Sequence, residues 1–484
     1  MLNMGQRMFL DRDAELAFLR SIQTRTHPGP GQFIMLYGRR RVGKTALLLH
    51  WAEQSGLPFS YFAAEKEPAP LQRRKLFATL LGRNPATPTN PTFASWSDLW
   101  HATASFLGDK RQILIFDELP YAVESDPATL SALQHAWDQH FQRSQALIVI
   151  CGSQVRTMEL MLASQSPIFG RLTGQWHLRP LPYSALRTFL PGWSAEERIA
   201  AYALVGGVPT YLQWLDPARS LVENIRQVML APGSLVMAEV EFLLYDELRE
   251  PRTYLAILQA IGNGAHTLKE IANASLVSTT NLSNYLAQLQ LLRLVEKRLP
   301  ATIPPTRQRI ARQGRYHLSD PFFRFYFRFL QPYQGDLSYQ PERVLPAIQQ
   351  GLRAFVGQTA FEDLARQWVL EQGRAGGLPF TPQTIGSHWS RQVQVDVVAA
   401  NFQSRQVLVG ECTWGADTID RAVVRELVEQ KAPLLRADLP DAGQGWTTHV
   451  ALFARAGFTP AAREDARCQN IMLINAARLD QELG

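Results

Sequence analysis

Three apolar runs of strand length punctuate the first third of the chain, and each ends in small or charged residues. Residues 33–37 (FIMLY) form the first, followed by a glycine-rich turn and then Ala46-Leu47-Leu48-Leu49-His50-Trp51, which favours helix. Residues 112–116 lead into Asp117-Glu118, and residues 146–150 lead into Cys151-Gly152-Ser153. Runs without polar alternation suit strands buried on both faces of a parallel sheet. Helical stretches between them predict an α/β domain with helices on both faces over residues 1–180.

The pattern then turns helical. Segments 195–204 and 211–215 flank Gly206-Gly207, and Ser194 and Glu197 have capping-box spacing. A small helical lid is expected over 181–250. From 251 to 320 the order is a helix near 254–261, a helix opened by the Thr267/Glu270 capping box, and a longer helix that Ser278 can cap. Leu282, Tyr285, Leu286 and Leu289 recur at helical spacing as a buried stripe. Strands near 294–298 and 315–318 follow, so a winged helix-turn-helix is predicted. Residues 321–330 (PFFRFYFRFL) read as a core-packed aromatic helix in a connector running to 360. From 361 to 484 a helix beginning at Phe361 precedes several short strands, which predicts a second α/β domain.

The turn after the first run is Gly38-Arg39-Arg40-Arg41-Val42-Gly43-Lys44-Thr45, which fits the P-loop pattern G-x-x-x-x-G-K-[ST]. Phosphates are solvated there by backbone N–H groups and by the N-terminus of the following helix, opened by Lys44, Thr45 and Ala46. Gly38 and Gly43 have no Cβ to obstruct a close approach. Lys44 is expected to reach the β- and γ-phosphates and Thr45 to ligate Mg²⁺. Arg39, Arg40 and Arg41 are expected to point out of the loop. Asp117 and Glu118, at the end of a buried strand, supply a Mg²⁺ carboxylate and a general base. Ser153 is either a γ-phosphate sensor or a helix N-cap.

At 484 residues, the chain is long enough for roughly two to four domains. Hydrophobic content of 46% with 19% charged residues is a folded, soluble profile. No apolar run approaches the length needed to span a bilayer, and no signal-peptide core is evident. Cys151, Cys412 and Cys468 are widely spaced and match neither a metal nor a disulfide framework, which fits a reducing cytoplasm. A net charge of +6 permits nucleic-acid binding without demanding it.

Residues 9–16 (FLDRDAEL), the P-loop, IFDELPY at 115–121, CGS at 151–153, SPIFGRLTG at 166–174 and GGVPTYL at 206–212 occur in that order. Together they resemble the archaeal-type ATPase family, in the P-loop branch that holds the AAA+ and signalling (STAND) NTPases. The later segments resemble that family's C-terminal DUF234 region. The resemblance implies ATP and Mg²⁺ as ligands, with Arg12 and Pro209 near the adenine. It also implies that Arg171 lies near the phosphates or an adjacent subunit, as an arginine finger; a surface ion pair is the alternative reading. Homo-oligomers and a protein partner are compatible with this branch.

Two downstream features point towards DNA. The polar face of the long helix carries Thr279, Thr280, Asn281, Asn284 and Gln288, which suits a helix entering a major groove. Arg307, Arg309 and Arg312 form a candidate basic wing for phosphate. The spacing of Asp396 and of Glu411-Cys412-Thr413 resembles the PD-(D/E)xK nuclease core. Asp396 and Glu411 are candidate Mg²⁺ ligands with Glu362 as a third carboxylate. Thr413 stands where that motif has lysine, however, and Lys431 lies on a later helix. A nuclease-like module that does not cut is therefore expected. The leading expectation is an ATPase acting on or with DNA; the rivals are a signalling switch and an ATP-gated metal-dependent nuclease.

Overall fold

Uniformly apolar strands require cover on both faces, and the N-terminal part of the chain supplies it. The computed structural model describes residues 11–25, 29–231, 233–248 and 250–484, so Phe9 and Leu10 lie outside the described residues. The chain forms two compact units, Met1–Leu181 with Val208–Thr210, and Pro182–Gly207 with Tyr211–Gly484.

In the first unit, α1 (Asp13–Gln23), β1 (Gln32–Tyr37), α2 (Lys44–Gln54), β2 (Phe59–Ala63), α3 (Ala69–Leu80) and α4 (Trp96–Leu107) come first. Then follow β3 (Ile113–Asp117), α5 (Leu119–Ser125), α6 (Ala128–Gln139), β4 (Leu147–Gly152), α7 (Val155–Met161) and β5 (Gly174–His177). The strands form one sheet in the order β2-β3-β4-β1-β5, parallel throughout. Strand alternation divides the core in two. Phe33 and Met35 pack with Leu76, Trp96, Trp100 and Trp137 on one face. Ile34 and Leu36 pack with Leu19, Leu47, Leu48 and Trp51 on the other. This order sets β1 beside β4 and β4 beside β3, so the loops leaving their carboxyl ends converge.

The second unit opens with helices Ala195–Val205 and Leu235–Glu247. The capping box of Ser194 and Glu197 is formed. The turn expected at 211–215 begins earlier, at Pro209–Leu212, because a proline is well accommodated in the first turn of a helix. Helices Pro251–Gly262, Leu268–Ser275 and Thr279–Leu291 follow, and Thr267 and Glu270 cap the second as a box. Ser278 holds the N-cap position of the third without a side-chain bond. Strands β6 (Val295–Arg298) and β7 (Arg315–Leu318) pair antiparallel. The aromatic stretch 321–330 is helical, and its rings are buried.

The helix expected to begin at Phe361 is the second half of a longer run that starts at Val344 and continues to Ala375. Gly357 inside that run does not stop it. A Cβ there would meet the Trp414 Cβ at 2.8 Å, so the glycine answers a packing demand. The C-terminal sheet comprises β8 (Thr384–Trp389), β9 (Gln394–Asn401), β10 (Gln406–Thr413), β11 (Thr447–Ala454) and β12 (Met472–Asn475), in the order β12-β11-β10-β9-β8. β10 is parallel to β11 and antiparallel to β9.

Long-range polar contacts hold the second unit together. The buried Asp480 carboxylate accepts from Tyr183 Oη at 2.6 Å and from Arg198 Nη2 at 2.7 Å, and it pairs with Arg187. Burial would raise this carboxyl, yet the bonds from Arg198 and Tyr183 hold it below its ordinary value. Asp363 collects Arg298, Arg324 and Arg366. Among the described residues no helix is long and apolar enough to cross a membrane, and all three cysteines are free.

Candidate functional site

The end of β1 turns sharply into α2, and two glycines permit the turn for different reasons. Gly43 has φ +94°, a left-handed conformation that a side chain would strain. Gly38 is demanded by packing: a Cβ there would lie 2.3 Å from the Leu178 carbonyl oxygen. The buried Lys44 ammonium lies back across the turn, donating to the carbonyls of Gly38 at 2.8 Å and Arg39 at 3.0 Å. Arg40 is exposed, Ala46 is exposed, and Val42 is buried in the core beneath α1 and α2. Arg41 has φ +69° and so shares the left-handed turn.

Asp117, at the end of β3, is buried. Its Oδ2 accepts from Thr45 Oγ1 at 2.7 Å and from Tyr61 Oη at 2.9 Å. This joins the two residues expected to serve Mg²⁺. A hydroxyl and a carboxylate are hard oxygen donors, and Mg²⁺ takes one or two such groups together with phosphate, so the donor set fits that ion. Tyr61 was not legible as a site residue. It lies on β2, and only the pairing of β2 with β3 brings it here. Burial and Asp117 push its phenol well above the ordinary value.

Glu118 has φ 50°, in the left-handed region, and begins α5. Its Oε2 accepts from Ser153 N at 3.0 Å and Ser153 Oγ at 2.9 Å. Burial raises the Glu118 carboxyl above its ordinary value, while Lys44 and Ser153 oppose the shift. The ends of β1, β3 and β4 therefore bring Lys44, Asp117, Glu118 and Ser153 together. A protonatable base, a lysine and a serine donor around one loop can orient and deprotonate a water beside a phosphate.

Arg12 is buried and donates to the Val42 carbonyl at 2.9 Å while pairing with Glu15 at 2.9 Å. It thus braces the turn. Pro209 Cγ stands 3.9 Å from a Cβ built on Gly43, so the G-x-P segment lies against the same turn. Arg171 is bound differently. Its Nε and Nη2 engage Asp138 at 2.9 Å, and its Nη1 donates to the carbonyls of Pro167 and Phe169. It sits in an ion pair with Asp138 of α6.

In the second unit, Thr279, Thr280, Asn281 and Asn284 are exposed and Gln288 is half-buried, opposite the buried Leu282, Leu286 and Leu289. Arg307, Arg309 and Arg312 are exposed between β6 and β7.

At the end of the C-terminal sheet, Asp396 lies near the start of β9, which antiparallel pairing sets beside the end of β10. Asp396 Oδ2 accepts from Cys412 N at 3.1 Å. Lys431 does reach this place: its Nζ lies 2.8 Å from Glu411 Oε2. Arg366 donates to the Asp396 carbonyl at 2.8 Å and pairs with Glu362 at 3.3 Å. The Asp396–Glu411 pair is thus braced by cations. Among the described residues, no group of three or more His, Cys, Asp or Glu is placed to hold a metal ion.

These carboxyls share one environment. Burial and then Asp396 push Glu362 up to about 8, against Arg366. Burial likewise raises Asp396 and Glu411. A raised carboxyl holds its proton in the folded chain at a pH where the unfolded chain has lost it, so stability falls as pH rises towards the folded value. The melting temperature is expected to fall as pH rises from about 4.5 to about 8, and Glu362→Gln to flatten that fall. An unchanged slope in thermal melts of the variant would remove Glu362 as the cause.

Residues 9–215 match the model of a family described as an ATPase domain predominantly from Archaea, and residues 326–426 match DUF234, described as archaeal and bacterial proteins of unknown function. An uncharacterised protein of Methanocaldococcus jannaschii is 32% identical over 421 residues, covering 86% of this chain and 89% of that one. Among solved structures, a Walker-type ATPase of Pyrococcus abyssi is 20% identical with a TM-score of 0.45, covering 66% of this chain and 95% of the other. The ORC2 protein of Aeropyrum pernix is 16% identical with a TM-score of 0.45, covering 71% and 94%. Likeness of that degree is too slight to argue from.

Proposed function

Because this chain belongs to the archaeal-type P-loop ATPase family that also carries the DUF234 region, we propose that it binds and hydrolyses ATP with Mg²⁺. The observation that carries the reading is the convergence of Lys44, Thr45, Asp117, Glu118 and Ser153 at the ends of β1, β3 and β4. Bound Mg²⁺–ATP would supply the electrophilic γ-phosphorus and neutralise charge on its oxygens. Backbone N–H groups of residues 39–46 cradle the phosphates, and Lys44 turns from its loop carbonyls to them. Thr45 and Asp117 would hold the metal. Glu118 would take the proton of the attacking water as its oxygen bonds the γ-phosphorus and ADP leaves with the bridging oxygen, and Ser153 would fix the Glu118 carboxylate or the γ-phosphate. Arg12 and Pro209 flank the turn on the base side. Arg171, held by Asp138 within its own subunit, would serve as a finger towards an adjacent copy.

We further propose that helices Pro251–Gly262, Leu268–Ser275 and Thr279–Leu291 with the β6–β7 ribbon act as a winged helix. Its exposed polar face and Arg307, Arg309 and Arg312 would contact DNA, and the C-terminal sheet would serve as a nuclease-like module that does not cut. The domains would then be an ATPase core at 1–180, a lid at 181–250, the winged helix at 251–320, a connector at 321–360 and the nuclease-like domain at 361–484. ATP turnover measured with and without duplex DNA across a salt series tests this. The expected outcome is Mg²⁺-dependent turnover that DNA stimulates at low salt and loses at high salt.

A second reading, a switch that recruits a protein or another copy on binding ATP, draws on one observation. Leu235, Phe242 and Tyr245 are 62%, 55% and 59% exposed along helix Leu235–Glu247. Exposed apolar side chains gathered on one helix favour a protein contact. ATP-dependent oligomerisation without salt-sensitive DNA binding would select this reading over the first.

A further inference from the structure

The second unit carries an open groove of about 1420 Å³. Its walls come from parts of the chain that the DNA reading above does not join. Lys269 begins one helix; Lys297, Arg307, Arg312 and Arg315 come from the β6–β7 ribbon and its loop; Arg391 follows β8 of the C-terminal sheet. β8 is an edge strand.

The walls are locked together. Arg315 lies over the Trp389 ring at 4.7 Å, and Trp389 Nε1 donates to the Gln313 carbonyl at 3.2 Å. Thr302 Oγ1 bonds His388 Nδ1 at 2.9 Å, and His388 Nε2 bonds Asp438 at 3.0 Å. The groove therefore exists before any ligand arrives.

Its charge is one-sided. Of the lining carboxylates, Asp441 pairs with Arg405 at 2.8 Å, while Asp438 is hydrogen-bonded to His388, whose pKa burial lowers, so one uncompensated carboxylate stands against six cations. Lys269, Lys297, Arg307, Arg312 and Arg391 have no ion pair or side-chain hydrogen bond among the described residues. Unpaired like charges repel one another, and a concave wall concentrates their field on whatever enters. A solvated basic face would need neither the concavity nor the locked walls. Small-molecule pockets run to roughly 300–1,000 Å³, so an extended polyanion suits this volume better. Arginine forks match phosphate oxygens in pairs, and the Arg315–Trp389 stack offers a flat surface to a base.

We propose that this groove holds the sugar–phosphate backbone of a nucleic acid, so that the edge of the C-terminal sheet and the β6–β7 ribbon grip one strand together. The proposal rests on the DNA reading above and adds Lys269, Trp389 and Arg391 to it. The test uses the full chain, a labelled duplex and each of its single strands, with binding measured across a salt series. Lys269 and Arg391 are exposed and unpaired, so the double variant Lys269→Glu/Arg391→Glu should fold, which an unchanged melting temperature verifies. Its affinity should drop at least about tenfold, and the slope of log K against log salt should shrink by about two. Asn281→Ala/Asn284→Ala should leave the slope unchanged. If the wild type binds but the charge-reversed variant matches it in affinity and slope, the groove is overturned while the helix and wing reading stands. Failure of the wild type to bind any nucleic acid overturns both. Equal binding of polyglutamate, lost in the same variant, would replace the nucleic acid with an acidic protein.

Discussion

Lys44→Ala is expected to weaken ATP binding about a hundredfold or more. The lysine is buried, and its ammonium already spans the turn, 2.8 Å from the Gly38 carbonyl and 3.0 Å from that of Arg39. Those carbonyls keep the ammonium at the turn, and on binding it would exchange them for phosphate oxygens. Charge-assisted bonds are worth roughly 1.5–3 kcal/mol each, and two bonds to phosphate oxygens amount to at least two decades of affinity. The alanine also leaves two loop carbonyls without their donor, which loosens the turn. Calorimetric titration with ATP and Mg²⁺ reads the effect directly. Unchanged affinity would sink the assignment of this turn as the phosphate site.

Glu118→Gln is expected to lower turnover by about 10²–10⁴-fold while ATP affinity stays within a few-fold of wild type. Glutamine keeps the shape, and its amide oxygen can still accept from Ser153 N, so the loop persists. What it loses is the ability to take a proton. The pH profile adds a sign. Burial raises the Glu118 carboxyl, so the working, ionised base is lost on acidification at a pH above the ordinary glutamate value. Ser153 opposes that rise through both its N–H and its hydroxyl. Ser153→Ala removes one of the two bonds and should move the acid limb to still higher pH. Wild-type turnover in Glu118→Gln, from single-turnover measurements, would exclude Glu118 as the base.

Local order was legible where local forces decide it. Strand, turn and helix around Lys44 follow from an apolar run, glycines and helix formers within about two turns of chain. The capping boxes at Ser194 and Thr267 formed as their spacing required, since both partners lie three residues apart. The reason for glycine was only half legible. The motif asked only that Gly38 and Gly43 lack a Cβ; the left-handed backbone at Gly43 appears in the structure, and the close approach of Leu178 to Gly38 depends on a strand more than a hundred residues away. Gly357 shows the same limit, because its demand comes from Trp414.

The partners of the site were set by pairing order. Tyr61 reaches Asp117 because β2 joins β3, and Ser153 reaches Glu118 because β4 lies on the other side of β3. Lys431 meets Glu411 from a helix twenty residues on, where side-chain alternation along one strand could not predict it. Asp480, near the chain end, is claimed by Tyr183 and Arg198 almost three hundred residues earlier. By itself the sequence determined the P-loop turn, the acidic strand end and the family, since each is written in contiguous segments. The tertiary structure alone decided which distant side chains hold Asp117, Glu118 and Glu411, and that six cations line one groove. Those arrangements come from sheet order and packing, which bring together residues that share no local signal.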